Sequence, residues 1–354
     1  MTDSQFAPVA DEAVTLKTQA SKKARLEVPR ASETAGDGLL IIDKPAGVTS
    51  HDVVSATRRL AATRKVGHAG TLDPMATGML VIGVGKATRL LHYITGADKG
   101  YYARIQLGVS TDSDDADGEI TAVNSIPAER LFGLAKEIDA QMRYFVGDIM
   151  QRPTTVSAIK VNGKRAHALH RAGEAVELAP RPVQVTKFAR VSEIDFLEVT
   201  LGGETYTFAE FDVVVECSSG TYVRALARDL GTALGLGGSL TELRRFRVGA
   251  WEASQMQSIA QLSAQVEQTG KVNVLPLTEA CLGAYDRLDL TEAEAISLCN
   301  GNATRLKVTD QKTQIVAALY AGQVRALLEK QGSGFKPLVI FETQMPPASE
   351  NLVS

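Results

Sequence analysis

The chain has 354 residues, 44% hydrophobic and 22% charged, with a formal net charge of −3, an ordinary balance for a globular fold of two domains or of one large domain with an appendage. The global charge gives no support for a polyanion partner, and no apolar run approaches the ~18 residues of a membrane span. Cys217, Cys281 and Cys299 form no C-x-x-C pair, so neither a disulfide framework nor a zinc site follows from them.

Residues 1–36 mix small, acidic and basic types without apolar periodicity and are expected to form a disordered N-terminal extension. They also lack the basic-then-apolar order of a signal peptide, so a cytoplasmic location is expected. Leu39-Leu40-Ile41-Ile42 suits a buried strand. Ser50 is placed to cap the next helix, whose apolar stripe runs through Val53, Val54, Leu60 and Ala61. The glycine-rich stretch Gly67 to Gly78 predicts a shaped loop, followed by a buried strand from Met79 to Val84 and a short helix from Lys86 to Ile94. Tyr102 to Leu107 alternates as a half-buried strand does, and the acidic run Asp112 to Gly118 reads as a surface turn. Pro127 to Met142 predicts a helix and Val156 to Val161 a strand, with a turn at Asn162-Gly163 and a basic helix to Gly173. Strands follow at Val183 to Val191 and Phe211 to Glu216, then a helix from Thr221 to Leu234 capped by the Ser218 to Thr221 turn.

The elements lack a regular βαβ beat, so the fold class expected is α+β with a mixed, largely antiparallel sheet and flanking helices. Near Pro276 the character changes. A short amphipathic helix from Leu288 to Asn300 precedes three strand-like runs, Gln314 to Leu319, Gln323 to Leu328 and Pro337 to Phe341. The division expected is an extension over 1–36, a catalytic domain over 37–275, a small β-rich appendage over 276–345 and a disordered tail over 346–354.

Charge is patchy. Residues 143–190 hold nine Lys/Arg against three acids, a local +6, and further clusters lie at Arg58, Arg59, Arg64, Lys65 and at Arg244-Arg245-Phe246-Arg247. Such patches are what phosphate neutralisation requires, although basic runs also occur as solvated faces.

Chemistry concentrates in the loop around Asp73. Gly67 and Gly70 allow close backbone approach, and Pro74 restricts the backbone of Asp73. A carboxylate fixed among apolar and small neighbours makes a better nucleophile or base; the alternative is a turn aspartate bonding local amides. Gly83-Val84-Gly85-Lys86-Ala87-Thr88 only imitates a phosphate loop, since Leu80 stands where a glycine is needed and Ala87 where Ser or Thr is needed. The five histidines make no paired-ligand pattern, so no metal is expected. Tyr101 opens a strand, either as a core packer or as a stacking partner for a base. Arg224 stands on the first turn of a helix, where the dipole disfavours a cation unless a carboxylate is near.

Together these segments resemble the TruB family, the bacterial enzymes that make pseudouridine 55 in the T-arm of tRNA. The resemblance runs through Gly38 to Asp52, Gly67 to Gly78 and Asp98-Lys99-Gly100-Tyr101. It continues through Gln151-Arg152-Pro153 with Ser157 to Lys160, Gly220 to Arg224 and Leu240 to Arg245, and so covers roughly residues 38–250. It implies the pseudouridine synthase fold and no cofactor. Asp73 corresponds to the family's catalytic aspartate, Tyr101 to the tyrosine that stacks on the target base and Arg224 to the arginine that pairs with the aspartate. His68 corresponds to a histidine contacting the flipped-out RNA and Leu243 to an apolar residue lining the uracil pocket. Lys44 and Pro45 belong to the motif bracing the catalytic loop. Tyr222, Gly70, Thr71 and Lys44 are further expected substrate contacts. Gly100 and Thr154-Thr155 depart from what the family often has, and the C-terminal part is similar to the family's PUA-like RNA-binding appendage.

The implied partner is the T-arm stem-loop of tRNA, with no membrane and no obligatory protein partner, and the enzyme is expected to act as a monomer. The reaction detaches uracil from C1′ and rejoins it through C5. A carboxylate attacks the sugar or base, or takes a ribose proton, and a target in a folded arm has to leave its stack. Two other readings compete: a non-catalytic RNA-binding module on the same fold, and a glycoside hydrolase with Asp43 or Asp52 as second carboxylate.

Overall fold

The computed structural model describes residues 26–156, 160–161, 164–165, 178–300, 314–332 and 334–344. Among these, a twelve-stranded mixed sheet forms the main body. Its path runs from Gln257–Ser258 through Gly38–Lys44, Thr77–Val84, Gly238–Val248, Lys99–Leu107, Glu204–Cys217 and Arg181–Arg190 to Gly147–Gln151. Most pairs are antiparallel; Gly238–Val248 against Thr77–Val84 and Gly38–Lys44 against Gln257–Ser258 are parallel.

The apolar runs at 39–42 and 79–84 are unbroken because both faces of those strands are covered. Leu40, Ile42, Leu80 and Ile82 point into one core with the helices Ser50–Leu60, Val223–Ala233 and Ile259–Thr269. Leu39, Ile41, Met79 and Val81 point into a second core, as the two-residue side-chain period requires. That second core takes in Leu277, Cys281, Leu319 and Leu327, so the C-terminal module is packed onto the back of the main sheet. The module is a separate four-stranded sheet ordered Asp286–Asp289, Ile315–Tyr320, Gln323–Gln331, Gly334–Ile340. Its hairpin turns at Ala321-Gly322, both with positive φ (49° and 74°), the backbone signature of a type I′ turn. The helix expected over Leu288 to Asn300 is shorter, Glu292–Cys299 capped by Thr291, because Leu288 belongs to the strand Asp286–Asp289.

Several expectations are corrected. Order begins within the extension assigned to residues 1–36. Val28 and Ala31 are buried, and the Ala31 and Ala35 amides donate to the Arg59 and Ala61 carbonyls at 3.1 and 3.0 Å. These carbonyls lie at the C-terminal end of the Ser50–Leu60 helix, where the intrahelical ladder runs out. Residues 1–25 and 346–354 lie outside the described residues. The cap of that helix is Thr49 in a capping box with Asp52, not Ser50. The presumed loop at 67–78 is strand at both ends, Val66–Ala69 pairing with Thr77–Val84; a Cβ on Gly67 would come within 3.0 Å of the Leu91 side chain, so glycine there serves close packing rather than a turn. The helix expected from Pro127 breaks at Phe132-Gly133 into Ala128–Leu131 and Leu134–Met142.

The expected basic helix falls almost wholly outside the described residues. Its first described positions, Lys164–Arg165, are instead a strand paired with Lys160–Val161. The strand Gly238–Val248 was hidden by its charges. Each has a partner: Arg244 bonds Asp43 through both terminal nitrogens at 3.0 and 2.9 Å, Arg247 meets Glu216 at 2.7 Å, and Arg245 is only 1% exposed. The cluster at 244–247 is therefore two internal ion pairs flanking a buried arginine, rather than an open phosphate-binding surface. Gly100 is explained by the same strand, since a Cβ there would lie 2.5 Å from the Phe246 ring.

Candidate active site

The Asp73 loop is fixed on both sides of the carboxylate. Before it, the buried Ser50 hydroxyl accepts from the Leu72 amide at 2.9 Å and donates to the Leu72 carbonyl at 3.0 Å. After it, the Pro74 carbonyl accepts from the Gly47 amide at 2.9 Å and from Lys44 Nζ at 3.2 Å. Gly70 supplies a positive φ of 75°, and its carbonyl accepts from Arg245 at 2.9 Å. Clamped peptides on either side leave Asp73 little choice of position.

Arg224 enters from the first turn of the Val223–Ala233 helix and is 4% exposed along its side chain. One terminal nitrogen lies 3.0 Å from Asp73 Oδ2 and the other 3.0 Å from Asp115 Oδ2. The carbonyls of Ser113 and Val156 accept from the same guanidinium at 2.8 and 2.9 Å. Two carboxylates and two carbonyls offset both the burial and the unfavourable helix end. The acidic run at 112–118 is thus not a solvated turn: Ser113, Asp114 and Asp115 are buried, and Asp114 bonds Arg228 at 2.8 Å. Thr154 and Thr155, at the other departure from the family pattern, hold this turn by donating to the Ser113 and Asp112 carbonyls at 3.1 and 3.0 Å. Burial pushes the Asp115 carboxyl above the usual range and the Arg224 charge pulls it back.

A cavity of about 340 Å³ opens over Asp73. It brings together Asp73, Tyr101, Arg224, Leu243, Tyr222, Gly70 and Thr71. Gln151 holds the Tyr222 backbone, its amide donating to the carbonyl at 3.0 Å and its oxygen accepting from the N–H at 2.9 Å. Tyr101 is 8% exposed, and burial raises its hydroxyl pKa, against the charge of the adjacent Arg245.

Lys44 and His68 are not in the cavity wall. Lys44 is fully buried, and all three of its N–H groups go to the carbonyls of Pro45, Val48 and Pro74. A substrate contact is therefore corrected to a brace beneath the loop. Burial first lowers the Lys44 pKa to about 8, with Asp73 acting in the opposite sense. His68 lies in the Val66–Ala69 strand with Nδ1 buried and unpartnered, and burial followed by the Arg245 charge lowers its pKa. The cavity also contains two residues given no role from sequence, Lys99 and Arg245. Lys99 sat inside a recognised block and Arg245 inside a presumed surface cluster, so neither carried a distinct signal. Burial, then the neighbouring Arg245 charge, lowers the Lys99 pKa to about 8.

A two-carboxylate glycosidase finds no second acid here. Asp43 is tied to Arg244 and Asp52 to the Thr49 cap, and Asp73 is the one carboxylate in the cavity wall among the described residues.

Residues 58–223 match the family model of the TruB family pseudouridylate synthase N-terminal domain, and residues 224–281 that of the tRNA pseudouridylate synthase B C-terminal domain. The chain belongs to the TruB family. Similar relatives named tRNA pseudouridine synthase B include one from Mycobacterium bovis, 45% identical over 306 residues, covering 86% of this chain and 96% of the relative. Another, from Mycolicibacterium paratuberculosis, is 47% identical over 303 residues, covering 86% and 97%. Among solved structures, a chain of an H/ACA RNP bound to a substrate RNA containing 2′-deoxyuridine aligns with TM-score 0.59 at 21% identity, over 87% of this chain and 85% of that one. A chain of an archaeal box H/ACA sRNP Nop10–Cbf5 complex aligns with TM-score 0.58 at 18% identity, over 90% and 97%. These two share with this chain its fold, a mixed sheet with flanking helices. No helix among the described residues is long and apolar enough to cross a membrane.

Proposed function

We propose that this TruB-family enzyme converts uridine 55 in the T-arm of tRNA to pseudouridine, with Asp73 as the catalytic carboxylate acting on a base flipped out of the folded arm. The observation that carries the reading is the ion pair of Asp73 with the buried Arg224, at 3.0 Å, in a cavity walled by Tyr101 and Leu243. A single oriented carboxylate beside an apolar slot suits a reaction with no net hydrolysis or redox change. Arg224 aims the carboxylate and limits its rotation. Tyr101 and Leu243 supply the surfaces against which a flipped base packs, offsetting part of an unstacking cost of a few kcal/mol. Tyr222, Gly70 and Thr71 complete the wall around the sugar.

The near full-length relatives named tRNA pseudouridine synthase B support tRNA as the substrate. We assign T-arm binding to the chain as a monomer in the cytoplasm, with basic residues outside the internal pairs contacting phosphates and the C-terminal module adding RNA surface. Sequencing pseudouridine in an unmodified tRNA transcript after incubation with the protein tests this. A single new pseudouridine at position 55, lost when that uridine is replaced by cytidine, is the expected result. Modification at another position refutes the site assignment.

A further inference from the structure

Arg224 and Arg104, two other buried or half-buried arginines, each contact two carboxylates. Lys99 and Arg245 are 5% and 1% exposed and line the same cavity as Asp73, yet neither forms an ion pair among the described residues. Lys99 Nζ donates to the Thr95 and Ala97 carbonyls at 2.6 and 2.5 Å, leaving its third N–H without a described acceptor. Arg245 donates to the Met79 and Gly70 carbonyls at 2.8 and 2.9 Å. The two sit on one sheet face around Tyr101. Lys99 precedes it by two residues on the same strand, and Arg245 is directly opposite it on the neighbouring strand. Asp73, the carboxylate they share a cavity with, is engaged by Arg224. Burying cations without a counter-charge is costly, and the carbonyl dipoles meet only part of that cost.

We propose that Lys99 and Arg245 form a cationic wall that stabilises the negative charge acquired by uracil when it leaves C1′, an inference that rests on the isomerase reading above. Breaking the N1–C1′ bond leaves the bonding pair on the base, where the ring spreads the charge over N1 and the carbonyl oxygens. When C5 closes onto C1′, that pair returns as the new bond, the C5 proton departs and N1 takes one up. Fixed positive charge in a site closed to water favours such a transient anion without reorganising. A backbone phosphate is the poorer fit. It stays connected to the rest of the RNA at the mouth, whereas these cations are buried against the strand that carries Tyr101.

Lys99→Gln keeps donors for Thr95 and Ala97 and removes the charge; Lys99→Arg keeps the charge. The measurement is the single-turnover rate of N1–C1′ bond breaking, read as loss of the starting nucleoside, on T-arm RNA carrying uridine or 5-fluorouridine, beside the RNA Kd and Tm. The fluorinated base leaves as a more stable anion, and its C5 fluorine blocks only the later proton loss. Lys99→Gln is expected to slow the uridine substrate by roughly tenfold or more. It should leave Kd and Tm close to those of the parent and slow the 5-fluorouridine substrate by a smaller factor, and Lys99→Arg should retain most of the rate. Arg245→Gln, which removes the other charge of the wall, provides the second test should Lys99→Gln fail to fold, with the same larger loss on uridine than on 5-fluorouridine expected. An unchanged rate, an equal loss on both substrates, or a loss confined to Kd overturns the inference. An inactive parent enzyme instead overturns the isomerase reading.

Discussion

Arg224 is held between Asp73 and Asp115, each at 3.0 Å, and the two carboxylates differ in what surrounds them. The Asp115 side chain is 6% exposed while that of Asp73 is 38% exposed at the cavity. Asp115 anchors the arginine; Asp73 is left open to a substrate. Asp115→Asn retains the shape and removes one charge from a buried network, so it is expected to cost about 1–3 kcal/mol of stability. The catalytic rate should fall by roughly tenfold or more as Arg224 loses its alignment, with RNA affinity little changed. Urea unfolding and single-turnover rates check the two parts separately. The aspartate before a proline was legible as chemically suggestive, but Asp115 was not. Its acidic neighbours gave it the profile of a solvated turn, and only folding brings Arg224 onto it and Arg228 onto Asp114.

At the level of elements, the helix Val223–Ala233 delivers Arg224 by lying close on the sheet, and Gly231 permits that approach. A Cβ there would sit 2.3 Å from the backbone of Gly237 and Gly238. Because backbone cannot rotate out of the way, Gly231→Ala is expected to lower stability on the order of 3 kcal/mol, read as a shift in the urea midpoint, with activity falling as the arginine is displaced. Strands with unbroken apolar runs and the amphipathic helices were legible from their periods. The strand Gly238–Val248 was not, since its alternating pattern is overwritten by Glu242, Arg244, Arg245 and Arg247. Glu242, Arg244 and Arg247 pair with Arg104, Asp43 and Glu216, and Arg245 bonds the Met79 and Gly70 carbonyls, all distant in sequence. The same reason hid the strand ends of the Asp73 loop: glycine reads as a breaker until a close neighbour such as Leu91 requires it.

Across the whole molecule, burial of ionisable groups sets the alkaline behaviour of stability. Cys217 and Cys281 are pushed from 9.0 to about 11 and about 12, chiefly by burial. The unfolded chain loses these protons first, so their contribution falls as pH rises above 9. Lys44 and Lys99 act in the opposite sense. Held at about 8 against 10.5 when unfolded, they are protonated in the unfolded chain and neutral in the folded one between those values. Their contribution is full above 10.5 and lost as pH falls through 8. The stability of the parent relative to Lys99→Gln should therefore rise from pH 8 towards 10.5, and a flat difference in urea unfolding would contradict it. The packing of the C-terminal module onto Leu39, Ile41, Met79 and Val81 belongs to this scale too. The sequence announced a small β-rich unit, but that the two share one core depends on which faces of two distant strands meet.

All of this positions one carboxylate. Asp73→Asn keeps the loop, the cavity and a neutral partner for Arg224 while removing the charge proposed to act on the uridine. The decisive measurement is pseudouridine formed on a T-arm stem-loop in a single turnover, beside RNA binding by the same variant. No product with binding retained is the predicted result; product at the rate of the parent protein would contradict the assignment of Asp73.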